Sequence, residues 1–367
     1  MTKKTRLTIL LVCVACFLVI SPILTLYSMG YRFDFEKKKI TLTGGVYVRT
    51  YPSADQIIID SKVTEKPRFF SNSIFVQSLL PNPHTVLVKK IGYYDYSKTL
   101  PVQEKEVTKL ENILLIKKDI VFSNINADTT PSPFDVQEKY IIKNGTLYQK
   151  STPLLKKIIA FTTQNNDIIW LGADGFLYKS DLSNLSATPI KITLTAIKIS
   201  KTGSYKIIAN TNNVFVNDNS KLLILDTKTN ELINFSSKTI VKDAKISPDG
   251  KNIIYYNDNN IYISDLLLPV IIESTTLYKS NEKITGCSWL NNDYIIFTVR
   301  QPDQEGDKII ISEIDYRGNI NAVTLAPVRV GGQALPQTVD KIFFNQQNGK
   351  LYILSKSNLL LSEKITQ

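Results

Sequence analysis

A repeated pattern of strands and turns constrains the fold of residues 135–367 more than any other feature of this sequence. Its clearest copy, residues 244–265, reads as a strand, a tight Ser-Pro-Asp-Gly-Lys turn, a second strand, an Asn-rich turn and a third strand. Further copies begin near Ile197 and Cys287, so the period is slightly over ~40 residues. Because one such unit cannot bury both faces of its strands, the copies must pack against one another.

This period matches the four-stranded blade of a β-propeller, in which blades pack radially and few sheet edges stay open. The motifs in residues 135–367 count to six blades, with five or seven as the alternatives. A stack of sandwich domains is the competing architecture, since its strands also recur at intervals of about 8–12 residues. The turn at Ser247–Lys251 and the strand at Ile261–Asp265 resemble those of TolB-type, WD-like propellers.

An apolar segment near the N-terminus predicts a single membrane-spanning helix. Leu7–Leu26 holds no charged residue, and at helical rise it covers about 30 Å, the thickness of a hydrocarbon core. The basic tail of residues 1–6 favours a cytoplasmic N-terminus, which places the bulk of the chain outside the cytoplasm. The sequence therefore predicts a single-pass protein of the cell membrane, which contacts the lipid bilayer through residues 7–27.

A cleaved signal peptide is the alternative for this segment. Ser28-Met29-Gly30 is the one tolerable small-residue cleavage site, and it lacks the favoured alanines. The apolar run is also longer than the core of about 7–15 residues that is typical of a signal peptide. We therefore expect the helix to be retained as an anchor.

The membrane-proximal part of the chain is strongly basic. Residues 1–118 contain 18 Lys and Arg against 9 Asp and Glu, which accounts for +9 of the total net charge of +11. This charge favours anionic lipid headgroups or anionic wall polymers as partners, rather than nucleic acid, unless lysine is simply common in this chain. Residues 28–43 are expected to form a juxtamembrane connector, in which Lys37–Lys39 either rest on headgroups or are solvated.

Residues 44–118 contain short β-branched and aromatic runs that are separated by turns, without a sustained helical period. They predict a compact β-sandwich of about five to seven strands, with a buried strand at Ile57–Ile59 and a last strand at Asn112–Ile116. Residues 119–134 are polar and contain two prolines, which indicates a linker to the propeller.

The order of turns in this sandwich resembles the PEGA domain. Gly45–Val48 leads into Pro52-Ser53-Ala54, and Leu80-Pro81 precedes a strand that ends in Gly92-Tyr93. The sequence departs from the family in two places: Pro52-Ser53-Ala54 stands where the family has Pro-Glu-Gly-Ala, and Asp60-Ser61-Lys62 replaces the usual Asp-Gly-Lys turn. The resemblance implies a non-catalytic module of the cell envelope.

Few residues fit a catalytic, metal-binding or cofactor site. His84 is the only histidine and is expected in a turn, Cys287 is expected to be a buried thiol, and Cys13 and Cys16 lie inside the apolar segment. Both tryptophans are expected to be core residues. The acidic residues of the turns offer one carboxylate per turn, which is fewer than a calcium loop needs. They are Asp174, Asp218, Asp249, Asp258, Asp293 and Asp307.

These observations favour a membrane-anchored, extracytoplasmic, non-catalytic protein that binds or scaffolds other molecules of the cell envelope. Its propeller would present a protein- or glycan-binding face formed by loops. The alternatives are a propeller enzyme, a lyase or glycan hydrolase that uses two carboxylates in the channel, and a structural spacer without a ligand.

Overall fold

The fold is known from a computed structural model. It describes residues 3–63, 72–125, 139–200, 203–236, 240–267, 274–300, 306–326, 329–330, 333–334, 338–355 and 358–365. The chain divides into two compact units. The first comprises residues 1–118 and 316–321, and the second comprises residues 119–315 and 322–366.

Helix α1 spans Lys3–Ser28 and is the first element of the first unit. It begins four residues before the predicted start at Leu7, because the basic tail continues the helix. The stretch Thr5–Ser28 is long and apolar enough to cross a membrane, and none of it is buried by the rest of the chain. Both a membrane span and a signal sequence have these properties.

The predicted connector of residues 28–43 contains a β-hairpin. Strand β1 (Tyr31–Asp34) pairs antiparallel with β2 (Lys39–Leu42). The turn between them is held by the buried carboxylate of Asp34, whose Oδ1 accepts hydrogen bonds from the backbone amides of Glu36 and Lys37 at 2.9 and 3.0 Å. The segment therefore has a fixed backbone conformation, which the charge run alone did not predict.

Two sheets form the sandwich of the first unit, as predicted. Their strands are β3 (Gly44–Tyr51), β4 (Gln56–Ile59), β5 (Lys62–Val63), β6 (Ser73–Leu79), β7 (Pro83–Lys89), β8 (Tyr96–Pro101) and β9 (Val107–Leu114). One sheet has the order β6-β3-β9, and the other has the order β5-β4-β7-β8. The core lies between them and includes Val48, Ile57, Val86 and Leu110. Since Leu110 already packs there, β9 starts before the predicted strand at Asn112–Ile116.

His84 is not a turn residue but the second residue of β7, and it is buried. Its Nε2 hydrogen-bonds the carbonyl oxygen of Leu80 at 2.7 Å, and its Nδ1 contacts the carboxylate of Asp60. The other carboxylate oxygen of Asp60 accepts a hydrogen bond from the backbone amide of Thr85 at 3.0 Å. Through these contacts His84 ties the β4–β5 turn to β7.

The second unit consists of short strands that follow one another in mainly antiparallel sheets. They are β10 (Val121–Ile125), β11 (Ile141–Lys143), β12 (Thr146–Gln149), β13 (Thr152–Lys156), β14 (Ile158–Gln164), β15 (Asp167–Gly172), β16 (Leu177–Asp181), β17 (Ile190–Lys191), β18 (Lys206–Ala209), β19 (Val214–Asn217), β20 (Leu222–Asp226), β21 (Glu231–Asn234), β22 (Asp243–Ile246), β23 (Asn252–Tyr256), β24 (Asn260–Asp265), β25 (Thr275–Lys279), β26 (Lys283–Trp289), β27 (Tyr294–Arg300), β28 (Asp307–Glu313), β29 (Ala322–Thr324), β30 (Arg329–Val330), β31 (Gln333–Ala334), β32 (Lys341–Asn345), β33 (Lys350–Ser355) and β34 (Asn358–Lys364).

Six sheets are present in the described part of this unit, and they are arranged as the blades of a β-propeller. Their orders are β11-β12-β13, β14-β15-β16-β17, β18-β19-β20-β21, β22-β23-β24-β25, β26-β27-β28-β29 and β31-β30-β10-β34-β33-β32. The first strands of successive sheets lie next to one another, as β14 does to β18 and β18 to β22. This places the first strands around an inner channel and the later strands farther out.

The cores of this unit lie between successive sheets. In β15, Ile168 and Trp170 pack toward the preceding sheet, whereas Ile169 and Leu171 pack toward the following one. A third core, which contains Phe215 and Tyr255, joins the next pair of sheets. Because the middle strands are buried on both faces, they read as continuous apolar runs rather than as alternating patterns.

The last sheet joins the two ends of the second unit. Strand β10 pairs antiparallel with β34, and Phe122 lies opposite Ser362. The predicted linker of residues 119–134 is therefore corrected: its first part is a strand, because Phe122 is apolar and buried at 4% exposure. Residues 126–134 of the predicted linker lie outside the described residues. Pairing the first strand with the last is the way a ring of sheets avoids open edges.

Candidate functional site

The channel of the second unit holds a cavity of about 660 Å³. Five sheets contribute to its lining. They do so through β14, β18, β22, β26 and β32, the last together with the turn that follows it. The lining residues are Thr162, Lys206–Ala209, Ala244–Ile246, Ser288, Trp289 and Phe343–Gln347. The cavity thus exists only because the ring brings distant parts of the chain together.

The turns after the first strands form a continuous polar rim at one end of this channel. Gln164 donates a hydrogen bond to the hydroxyl of Thr211 at 3.5 Å, and Asn210 donates to the carbonyl of Gly250 at 3.1 Å. The backbone amide of Asp249 donates to the side chain of Asn292 at 3.1 Å. Four successive sheets are therefore linked turn to turn, which holds this end of the channel in one geometry.

Local turn chemistry explains why these turns are rich in asparagine. The side-chain oxygens of Asn210, Asn291 and Asn345 each accept two backbone amides from the residues two and three positions later. Asparagine forms such turns readily because its side chain mimics a backbone carbonyl. The predicted turn at Ser247–Lys251 closes differently, with Gly250 at a φ of +74° and its amide on the carbonyl of Ser247 at 2.9 Å.

Two lysines carry the charge of the cavity. The ammonium of Lys206 pairs with Asp243 at 2.6 Å. Lys245 has no hydrogen-bond or ion-pair partner for its ammonium among the described residues. The nearby carboxylate of Asp243 is already paired with Lys206. Loss of water contact lowers the pKa of Lys245, and the nearby charge of Lys206 adds to this effect while Asp243 opposes it. Within the described part of the second unit, the site therefore contains an amine that lacks a counter-ion.

The wall beside Lys245 is apolar and rigid. Trp289 is buried at 6% exposure, and its indole N–H donates to the backbone carbonyl of Lys245 at 2.9 Å.

Cys287 is a buried thiol, as predicted, and burial raises its pKa to about 12. Burial also raises the pKa of Tyr256. Trp289 and Trp170 are both core residues, as predicted.

The acidic turn residues are used within their own turns or in ion pairs. Asp258 pairs with Lys242, and Asp307 forms a bidentate pair with Arg300 at 2.9 and 3.0 Å. Asp249 is bound by the hydroxyl of Ser247 at 2.6 Å. Among the described residues, no group of three or more His, Cys, Asp and Glu is placed to hold a metal ion. The described lining of the cavity also contains no Asp or Glu, so the carboxylate pair that the enzyme alternative requires does not lie there.

Sequence reasoning missed Lys206 and Lys245 as residues of a site. Lys245 lies inside the Ala-Lys-Ile-Ser-Pro-Asp-Gly-Lys motif, which indicates only a strand and a turn. No local signal was available, because β18 and β22 are first strands whose residues are mostly only partly buried, and a lysine in such a strand is ordinary.

The fold and the channel define the second unit as a β-propeller. A family model described as "Dipeptidyl peptidase IV (DPP IV) N-terminal region" matches residues 200–289, which begin shortly before β18 and end at Trp289. No curated protein matches the chain.

Several solved propeller structures are similar to the chain at low identity. "YCF48 bound to D1 peptide" shares 11% identity at a TM-score of 0.43, with 88% of this chain and 97% of that chain covered. The β-propeller domain of Cps50 (Swd1) from Myceliophteria thermophila shares 9% identity at a TM-score of 0.43, with 86% and 97% covered. A TolB from Agrobacterium tumefaciens shares 14% identity at a TM-score of 0.38, with 56% and 73% covered.

Proposed function

We propose that this chain is a membrane-anchored binding protein whose propeller holds an acidic peptide segment of a partner protein in the channel cavity. Helix α1 tethers the chain to the cell membrane with its N-terminus in the cytoplasm, and both folded units lie outside the cytoplasm. The PEGA-like sandwich follows the anchor in the sequence. The observation that carries the proposal is the ammonium of Lys245, which lines the cavity without a counter-ion among the described residues.

Charge and hydrogen-bonding groups support an acidic ligand. Beside the neutralised pair of Lys206 and Asp243, Lys245 leaves the site with one uncompensated positive charge. The turn after β32 adds neutral amides, Asn345–Gln347, which both donate and accept hydrogen bonds. A carboxylate that enters this partly dry site would form a charge-assisted hydrogen bond, which is among the stronger polar contacts in proteins.

The shape of the wall supports a peptide rather than a glycan. Sugar rings usually stack on exposed aromatic faces, but of the three aromatic side chains in the described lining Trp289 and Phe344 are buried and Phe343 is only partly exposed. The first strands β14, β18, β22 and β26 each have one edge without a neighbouring strand in their described sheets. Strand edges of this kind recognise the backbone of an extended peptide, and nearby pockets then select its side chains.

A paired peptide array tests this function. The full-length protein in lipid nanodiscs is applied to immobilised peptides that come in pairs, identical except for a central Glu or Gln. We expect the protein to bind the Glu member of a pair roughly tenfold or more tightly than the Gln member, since a charge-assisted hydrogen bond contributes about 1.5–3 kcal/mol. Equal retention of both members of the pairs, or retention of oligogalacturonate in preference to any peptide, would contradict the proposal.

A further inference from the structure

In the β1–β2 hairpin, apolar side chains are exposed and polar side chains are buried, which is the reverse of the usual arrangement in a soluble protein. Its register places Phe33 opposite Ile40, and Asp34 opposite Lys39. Phe33 and Ile40 therefore share one face of the hairpin, and they are 48% and 60% exposed. Phe35, at the tip, is 82% exposed and packs edge-to-face on Phe33 with ring centroids 5.0 Å apart. We call these three residues the aromatic face.

The opposite face of the hairpin is polar and buried. Asp34 is 0% exposed and Thr41 is 4% exposed, and the hydroxyl of Thr41 bonds the carboxylate of Glu104. Lys37 reaches across to the side chain of Asn82. Polar side chains thus attach the hairpin to the sandwich, while apolar side chains point away from the protein. In water this arrangement would expose apolar area that a reversed hairpin would bury.

The position of the hairpin, directly after α1, explains why its apolar side chains are exposed. Only Met29 and Gly30 separate the end of α1 from β1. Arg32 fixes the two elements to each other, because it donates to the carbonyl of Tyr27 at 2.7 Å and its guanidinium lies 3.5 Å from the centroid of the Tyr27 ring. A positive charge at a helix C-terminus is also favoured by the helix dipole. The hairpin is therefore held at the end of the candidate membrane span.

From this geometry we infer that the aromatic face lies in the interfacial layer of the bilayer into which α1 inserts. This layer is about 5–8 Å thick on each side of the hydrocarbon core, and aromatic side chains concentrate there. Lys38, in the turn between the two strands, is exposed near the tip of the hairpin, where its positive charge favours lipid phosphates. The hairpin thus adds a second lipid contact to the one made by α1.

Depth-dependent fluorescence quenching tests this inference, which rests on α1 spanning the bilayer. The variant Phe35→Trp is reconstituted as full-length chain into phosphatidylcholine nanodiscs that carry a nitroxide close to the headgroup. We expect blue-shifted emission and quenching beyond the wild-type background, which comes from Trp170 and Trp289 in the second unit. Substitution at the exposed Phe35 removes no buried contact, so the variant is expected to fold normally.

Ile91→Trp is the matched control, because Ile91 is also an exposed apolar residue of the first unit, at 90% exposure. It lies past the far end of β7, and the near end of β7 adjoins Asn82, which Lys37 contacts. A strand of this length separates the two ends by about 20 Å. If Phe35→Trp is quenched no more than Ile91→Trp in protein that does reconstitute, the inference is overturned. Failure to reconstitute at all would instead overturn the anchoring role of α1.

Discussion

Aspartate in place of Phe122 is expected to unfold the second unit or to lower its thermal midpoint sharply. Phe122 is buried on β10, the strand that pairs the start of this unit with β34 at its end. Loss of a buried phenylalanine typically costs about 3–5 kcal/mol, and a buried unpaired charge adds to this cost. For a unit of this size we expect the midpoint to fall by roughly 6–20 °C. The fluorescence of Trp170 and Trp289 reports the transition.

Val121→Asp is the control for this prediction, because it places the same charge one residue earlier on the same strand. Val121 is 61% exposed, so the expected change in unfolding free energy is within about 0.5 kcal/mol. An equal loss of stability in both variants would mean that any charge on β10 destabilises the unit, whether or not the side chain is buried. No loss in Phe122→Asp would show that the pairing of β10 with β34 does not hold the ring together.

Methionine in place of Lys245 is expected to weaken the binding of acidic peptides and, at the same time, to stabilise the protein at neutral pH. Binding should weaken by roughly ten- to a hundredfold, since the variant removes the charge-assisted hydrogen bond to the ligand. Stability should rise because methionine fills a similar volume without an ammonium that has lost part of its water contact. Lys251→Met, which alters an exposed lysine of the adjacent turn, should change neither property appreciably.

The pH dependence of this stability difference follows from the direction of the pKa shift. Because the pKa of Lys245 is lowered in the folded protein, the unfolded chain binds more protons between that lowered value and about 10.4, the ordinary pKa of lysine. Wild-type stability therefore rises with pH in this window relative to Lys245→Met. Thermal unfolding of both proteins from neutral to alkaline pH should show the advantage of the variant shrinking, and a constant difference would contradict the assigned environment.

Local chemistry made most of the fold predictable from the sequence. The turn at Ser247–Lys251 is set by its own proline, aspartate and glycine, and it marks the clearest copy of the repeat from which the sheets were predicted. The middle strands are largely apolar because each is buried between two sheets. The sandwich was likewise visible in runs such as Ile57–Ile59, whose burial needs only an opposing sheet.

Features that depend on distant residues were not predictable. The pairing of Phe122 with Ser362 joins opposite ends of the second unit, and no local pattern specifies it. The cavity requires β18, β22 and β26 to meet, so Lys245 could not be assigned to it from its motif. The hairpin after α1 looked like a charged connector because its lysines dominate the sequence, whereas the register that exposes Phe33 and Ile40 on one face appears only in three dimensions.

Zero-length cross-linking tests the binding proposal most directly. A Glu-containing peptide selected on the array is incubated with the full-length protein in nanodiscs and treated with a water-soluble carbodiimide, which joins a carboxylate to an amine only where the two are in contact. Mass spectrometry then locates the new amide bond. The proposal predicts that the peptide glutamate is joined to Lys245 and that the matching Gln peptide gives no product. Products confined to exposed lysines such as Lys251, with Lys245 unmodified, would contradict it.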